Sequence, residues 1–258
     1  MKITLDLRKS IDENARRYFE AAKKARRKAL GAEKAVAEWK ARVTGKQHDE
    51  PRQAKIAKAK RKKDWYESFR WCVSSDGFLL VGGRDATTNE LLIKKHAQKG
   101  DVVFHTDMAG SPFVIVKTEG KDVPAATLDE AAQMTAAFSR AWKNGLSTLE
   151  VFHVAPEQVT KEPNPGEYLG KGAFMIRGKT LYRRPELKVA IGLDDKGRAM
   201  AGPPSAVMKR CVKAVEILQG NEKPSDVAKA LQKQLGGDLD EILSALPPGG
   251  CKAGSRLV

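Results

Sequence analysis

From residue 11 onward, Ile11, Ala15, Tyr18, Ala22, Ala25, Ala29, Ala32, Val36, Trp39 and Val43 recur in alternating steps of four and three. This is the heptad spacing of a coiled-coil seam, which buries its apolar positions only against a second helix. Ser10-Ile11-Asp12-Glu13, just ahead of it, has the form of a capping box: the Ser10 hydroxyl accepts from the Glu13 N–H while the Glu13 carboxylate accepts from the Ser10 N–H. Gly45 and Pro51 interrupt the pattern, and helix-forming residues resume from 52 through 69. The spacing predicts an antiparallel helical hairpin over residues 1–64, its first helix about 50 Å long at about 1.5 Å rise per residue.

At Trp65 the pattern shifts from heptads to short apolar runs separated by turn residues. Cys72-Val73-Ser74 and Phe78-Leu79-Leu80-Val81 flank Asp76-Gly77 and predict a hairpin, because Asp-Gly tolerates the positive φ of tight turns. A short helix is expected over 87–96, strands over 102–105 and 113–116, and a longer helix over 128–143 with Thr127 as N-cap and Glu130 closing a second capping box. Strands follow over 149–154, 172–177 and 187–193. Strands in clusters favour an α+β fold with an antiparallel-rich sheet over a doubly wound one. The last part reads as short helices over 205–218, 225–235 and 238–246, so the expected divisions are 1–64, a central mixed domain over 65–200, and a helical segment over 201–258.

Charge changes this picture more than overall composition does. The 258 residues are 41% hydrophobic, enough to bury a core, and carry a net charge of +15. Residues 1–64 hold 21 Lys and Arg against 9 Asp and Glu, and residues 65–258 hold 26 against 23, so the basicity is local. Lys23, Lys24, Arg26, Arg27, Lys58, Arg61, Lys62 and Lys63 lie outside the seam. A charge run is ordinarily a solvated helix face, but like charges at i, i+4 that find no opposite partner cost a few tenths of a kcal/mol per pair. A polyanion removes that cost, which points to nucleic acid. An anionic membrane fits less well, because the apolar stripe is committed to the seam and no run of about 18 apolar residues is present. Cys72, Cys211 and Cys251 are odd in number and far apart, without zinc spacing, in keeping with a reducing cytoplasm.

The candidate chemistry begins at Gly82-Gly83-Arg84-Asp85, between a strand and a helix. Free N–H groups there would attract a phosphate, or Arg84 and Asp85 would pair with each other or cap the helix. The turn is neither GxGxxG nor GxxxxGK[ST], so no nucleotide cofactor is expected. The helix beyond carries Asn89, Lys94, Lys95 and His96. His105, Asp107 and His153 offer two imidazoles and a carboxylate for a metal, although satisfied strand histidines are far commoner. An enzymatic alternative places His105, Asp107 and Arg84 around a pocket. A Pro- and Gly-rich loop over 161–172 either braces the core or presents Lys161, Lys171, Arg177 and Lys179 to a ligand. Trp65, Tyr66 and Trp71 are available to stack on unpaired bases or to pack in the core. A third reading is a protein adaptor gripping partners through the coiled coil and the C-terminal helices.

WYESFRWCVSSDGFLLVGGRDATTNELLIKKH, GDVVFHTDMAGSPFVIVK, LDEAAQMTAAFSRAWK, PEQVTKEPNPGEYLGKGAFMIRGK and LKVAIGL, in this order from residue 65 to 193, resemble the RNA-binding domain of the NFACT family, the ribosome-associated quality-control factors. The opening ITLDLRKSIDENARRYFEAAKKARRKALGAEKAV is similar to the start of that family's coiled-coil arm. The resemblance implies a non-enzymatic factor of the large ribosomal subunit that binds rRNA or tRNA, with Arg84 and Asp85 shaping an RNA-facing surface. It departs from the family's long members in lacking a counterpart to their N-terminal and helix-hairpin-helix domains, and in having Asn164-Pro165 before Gly-Glu-Tyr-Leu where a small hydroxyl residue is more usual. Autonomous tailing of stalled chains is therefore not expected, a separate protein supplying the missing domain is a candidate partner, and the compact form resembles archaeal ones.

Overall fold

The computed structural model describes residues 4–8, 10–44, 63–163 and 169–257, with backbone alone at 17 and 39–44. It divides into two compact units, Met1–Arg61 and Lys62–Val258. In the first, α1 (Ile11–Thr44) starts at the expected capping box: Glu13 N donates to Ser10 Oγ at 3.2 Å and Ser10 N to Glu13 Oε2 at 2.9 Å. Asn14 is buried and ties the leading segment to the first turn, accepting from Asp6 N at 2.9 Å and donating to the Asp6 and Ser10 carbonyls at 3.0 Å each. The seam residues Ile11, Tyr18 and Val36 are exposed. The expected second helix of the hairpin falls almost wholly on residues outside the described ones. Its last stretch does not continue to Phe69: Trp65–Ser68 is a single 3-10 turn belonging to the second unit. There Trp65 stacks on His96 and Phe69 is buried, so tertiary contacts override local helix propensity.

The second unit begins with the predicted hairpin of β1 (Arg70–Val73) and β2 (Leu79–Gly82), turning through Gly77 at φ 98°. Next come α2 (Ala86–Leu91), running into a π-helical turn over Leu92–His96, then β3 (Val102–His105), β4 (Val114–Lys117), α3 (Ala125–Ala137) and α4 (Arg140–Lys143). They are followed by β5 (Val151–Val154), the short pair β6 (Val159–Thr160) and β7 (Met175–Ile176), and β8 (Leu181–Arg183). One antiparallel sheet has the order β1-β2-β4-β3-β5-β8. Register sorts its side chains by face. Leu80 with Val116, and Val114 with Phe104, face the core that includes α3; Val81, Ile115, Val103 and Val154 face the opposite core, over which Val159, Phe174 and Ile176 pack.

The chain continues through β9 (Val189–Leu193), β10 (Ala199–Gly202), α5 (Pro204–Arg210), β11 (Lys213–Glu222), α6 (Pro224–Leu235), α7 (Leu239–Ala245) and β12 (Cys251–Arg256). These strands form a second antiparallel sheet, β10-β9-β11-β12, which runs across residue 200, where the sequence suggested a division. The expected helix over 205–218 is a correction: it ends at Arg210, and 213–222 is the longest strand of the second unit. Ala214, Val215 and Ile217 are buried there, and pairing to β9 outweighs the helical preference of a stretch rich in Ala, Glu, Leu and Gln. The helices over 225–235 and 238–246 form, the latter with Asp238 as N-cap.

The long helix expected over 128–143 is also corrected. It starts at Ala125 and breaks at Phe138-Ser139, where the Ser139 hydroxyl accepts from Ala141 N at 3.1 Å and starts α4. Thr127 and Glu130 are not a capping box. The Thr127 hydroxyl donates toward Ser74 Oγ and Asp76 Oδ2 at 2.9 and 2.8 Å, and Glu130 accepts from Ser75 N at 2.8 Å and Ser205 Oγ at 2.6 Å. Both side chains brace the β1–β2 turn and α5 against α3.

The two sheets meet where β10 passes β1. Gly202 leaves room for Cys72, whose sulfur would stand 2.6 Å from a Cβ at that position. Beside this contact Arg198, 7% exposed, donates from Nη1 to Tyr66 Oη at 2.7 Å, pairs with Asp194 at 2.6 Å and Asp64 at 3.1 Å, and lies 4.7 Å from the centre of the Trp71 ring. Removing one member of a buried ionic network strands the others. Arg198→Ala is expected to cost about 3–5 kcal/mol in urea unfolding, with Arg198→Lys intermediate; a loss within about 0.5 kcal/mol, as for surface positions, would show that the network is not structural.

Candidate nucleic-acid interface

At one end of the first sheet, the β2–α2 turn, the β3–β4 connection and residues 171–173 enclose a groove of about 450 Å³. The paired glycines are explained by close packing. A Cβ at Gly83 would stand 1.9 Å from Asn89 Oδ1. Only glycine lets the Asn89 amide accept from Phe113 N at 3.1 Å and donate to the Ser111 carbonyl at 3.3 Å, which pins the β3–β4 connection to α2.

The turn is not an open phosphate cradle, and this corrects one of the two readings of its sequence. Gly83 N donates to the Phe113 carbonyl at 3.0 Å, while Arg84 N and Asp85 N both donate to Thr88 Oγ1, at 2.8 and 2.9 Å. Asp85 caps α2 by accepting from Thr88 N at 2.8 Å, and these Thr88 hydrogen bonds hold its carboxyl below the usual range. A carboxylate thus occupies the helix N-terminus. Arg84 turns away from Asp85 and donates from Nη2 to the Phe69 carbonyl at 2.8 Å.

Arg84 meets Arg70 in this groove. Arg70 donates from Nη1 to the Leu246 carbonyl at 2.8 Å and lies 4.6 Å from the Phe138 ring centre. Burial, and then the nearby Arg84 charge, lower its pKa to about 10. Both arginines and Phe138 also line a narrower crevice of about 120 Å³ that reaches Lys63, Arg198 and Asp240. Lys171, His105, Thr106, Asp107 and Ser111 complete the groove, and Arg140 lies against Gly110 on its wall. Its cations outnumber its carboxylates, and one of those carboxylates, Asp85, is spent as a cap.

His105 is held in place by its own strand end. Its Nδ1 lies 2.9 Å from the Pro112 carbonyl and its ring stacks on Phe113 at 3.8 Å, while burial lowers its pKa. Register pairs His105 with Phe152 and Phe104 with His153, so the two histidines face opposite sides of the sheet. They cannot share a metal, and among the described residues no group of three or more His, Cys, Asp or Glu is arranged to hold one.

The groove therefore gathers Arg84, Asp85, Asn89, His105, Asp107 and Lys171. Other candidates lie elsewhere. Lys94 and Lys161 pair with Glu90 at 2.7 and 3.4 Å, and Lys161 covers the Phe174 ring at 4.5 Å. His96 stacks on Trp65 at 4.1 Å, Lys95 and Lys179 are exposed, and Arg177 donates to the Glu162 carbonyl at 3.1 Å. Lys23, Lys24, Arg26 and Arg27 are exposed along α1; Lys63 pairs with Glu241 at 3.6 Å; Lys58, Arg61 and Lys62 lie outside the described residues. Trp71 is buried, and the Tyr66 ring meets Trp65 and Trp71 edge-on with the Arg198 guanidinium over it, so both rings are committed within the fold. Sequence reasoning missed Arg70, whose one available signal is a cation opening an otherwise apolar strand.

An α+β domain with a cation-rich groove at the end of an antiparallel sheet is suited to binding a polyanion. Residues 68–178 match the family model described as the NFACT protein RNA binding domain. The chain is 41% identical over 202 residues to the archaeal Rqc2 homolog aRqcH of Methanocaldococcus jannaschii, covering 76% of this chain and 30% of that protein. It is 37% identical over 198 residues to the ribosome quality control complex subunit NEMF homolog of Drosophila melanogaster, covering 74% of this chain and 20% of that one. Among solved structures, the C-terminal part of the fibronectin/fibrinogen-binding protein from Streptococcus suis aligns with a TM-score of 0.38 at 22% identity, covering 69% of this chain and 77% of that one. The chain belongs to the NFACT family through its RNA-binding domain, and it spans about a third or less of the length of these curated relatives.

Gly83→Ala is expected to displace Asn89 and cost about 1–3 kcal/mol, with faster amide exchange across 106–112; unchanged exchange there would refute the pinning role. His96, His105 and His153 all have pKa values lowered chiefly by burial, below the ordinary 6.5. The unfolded chain takes up protons near that pH that the folded chain does not, so their contribution is complete above it and is lost as pH falls through it. The urea midpoint should be lower at about pH 5.5 than at about pH 7.5, and His105→Phe should shrink the difference.

Proposed function

We propose that the protein is an RNA-binding factor of ribosome-associated quality control, acting on rRNA of the large subunit or on tRNA in the cytoplasm without a catalytic step of its own. The observation that carries this reading is the groove, with its two arginines and Lys171, on the domain that matches an RNA-binding family model. The exposed cations of α1 support it: among the described residues no carboxylate forms an ion pair with Lys23, Lys24, Arg26 or Arg27. In this proposal residues 1–64 form a coiled-coil hairpin with a basic outer surface, 65–200 form the RNA-binding domain, and 201–258 complete its second sheet. Candidate contacts beyond the groove are Lys95 and Lys179. No described helix is long and apolar enough to cross a membrane.

Phosphate contacts release counterions, so affinity should fall steeply with salt. With about four contacts to a duplex or structured RNA, binding should weaken about a hundredfold between about 50 and 200 mM salt. Charge reversal at Lys23, Lys24, Arg26 and Arg27 together should reduce that slope and co-sedimentation with the large subunit while leaving the melting temperature unchanged. A flat salt dependence of the unaltered protein would overturn the reading.

A further inference from the structure

Arg70 and Arg84 stand at the neck between the groove and the narrower crevice, lining both. Each is fixed by a single backbone carbonyl, and the two anchors are independent: Phe69, the residue before Arg70, holds Arg84, and Leu246 holds Arg70. A guanidinium has five N–H donors, so most of each fork stays available after one such bond. Among the described residues no carboxylate forms an ion pair with either. Two like charges held close together, one of them largely buried over Phe138, repel until an anion comes between them.

We infer that Arg70 and Arg84 form a two-pronged clamp for one phosphodiester group of a bound RNA strand. This rests on the RNA-binding reading and names the chemical group that the groove holds. The planar fork of each arginine matches the oxygens of a phosphate, and two forks, one from β1 and one from the turn after β2, can grip one group from two sides. Acidic side chains line both spaces beside the cations, among them Asp107 in the groove and Asp240 in the crevice. An amino group on a neighbouring base would find an acceptor in either carboxylate.

Arg84 is the position to vary, because its side chain reaches the surface whereas Arg70 is packed over Phe138. With the full chain and a fluorescein-labelled single-stranded RNA, Arg84→Met should weaken binding about tenfold or more. The slope of log affinity against log salt should fall by about 0.7, the value for one lost contact to a single strand. Arg84→Lys should recover the slope but only part of the affinity, since it restores the charge and not the fork. Both variants should melt with the unaltered protein. Should the unaltered protein bind this RNA and Arg84→Met match it in affinity and slope, the clamp is wrong while the RNA-binding reading stands. Failure of the unaltered protein to bind any RNA removes both. If inorganic phosphate raises the melting temperature of the unaltered protein but not of Arg84→Met, and RNA affinity is the same for the two, the site is for a free anion and the clamp is overturned.

Discussion

One buried guanidinium, that of Arg198, sets how the first strand of the RNA-binding domain meets the second sheet. It reaches from the residue before β10 to Asp194 just after β9, to Asp64 and Tyr66 at the start of the 3-10 turn, and to the face of Trp71 in β1. Burying a charge is costly unless its partners are close and well oriented, so this network admits essentially one relative placement of the elements it joins. Arg70 opens the same strand as Trp71 and shares a crevice with Arg198. The position of the candidate RNA-binding arginines is therefore inherited from an interaction that takes no part in binding.

A second theme is the use of polar side chains and missing Cβ atoms where regular caps would be expected. Asn89 connects two elements because Gly83 leaves it space. Thr127 and Glu130, inside α3, hold the β1–β2 turn and α5, and Gly202 admits Cys72. Each contact is short and intolerant of added volume, and the one made by Asn89 stiffens the groove wall formed by the β2–α2 turn and the β3–β4 connection. Preorganised walls lower the ordering cost of binding, so charges on them yield more affinity than the same charges on a mobile loop.

The cations fall into two kinds. Those on α1 are numerous and exposed, in a setting where electrostatics act at long range and are screened by salt. Those in the groove are few, and its two arginines are anchored by carbonyls, in a setting where a guanidinium retains directional donors. The first kind suits capture of a polyanion and the second suits the register in which it is held. Lys94 and Lys161 belong to neither, because they share Glu90 as ion-pair partner; its pKa is lowered to about 2 by the Lys94 hydrogen bond first and the Gly172 N–H second.

Periodicity and capping chemistry were enough to place α1 with its capping box, the β1–β2 hairpin, β3, β4, α2 and the last two helices, since each is specified within a dozen or so residues. The motif order likewise pointed to the family, and the block around Arg84, Asp85 and Asn89 to the groove. Contacts between residues far apart in sequence were not legible. Residues 213–218 read as the end of a helix but belong to a strand, because the pairing energy comes from β9 about 25 positions earlier. Thr127 and Glu130 read as a cap but serve as a brace, because their partners are Ser74, Ser75, Asp76 and Ser205. Arg70 gave almost no signal, since its place beside Arg84 follows from strand pairing and its anchor at Leu246 lies 176 residues away. Local patterns name the elements; which cations remain without an acid partner is settled only when distant carboxylates and carbonyls have taken their places around them.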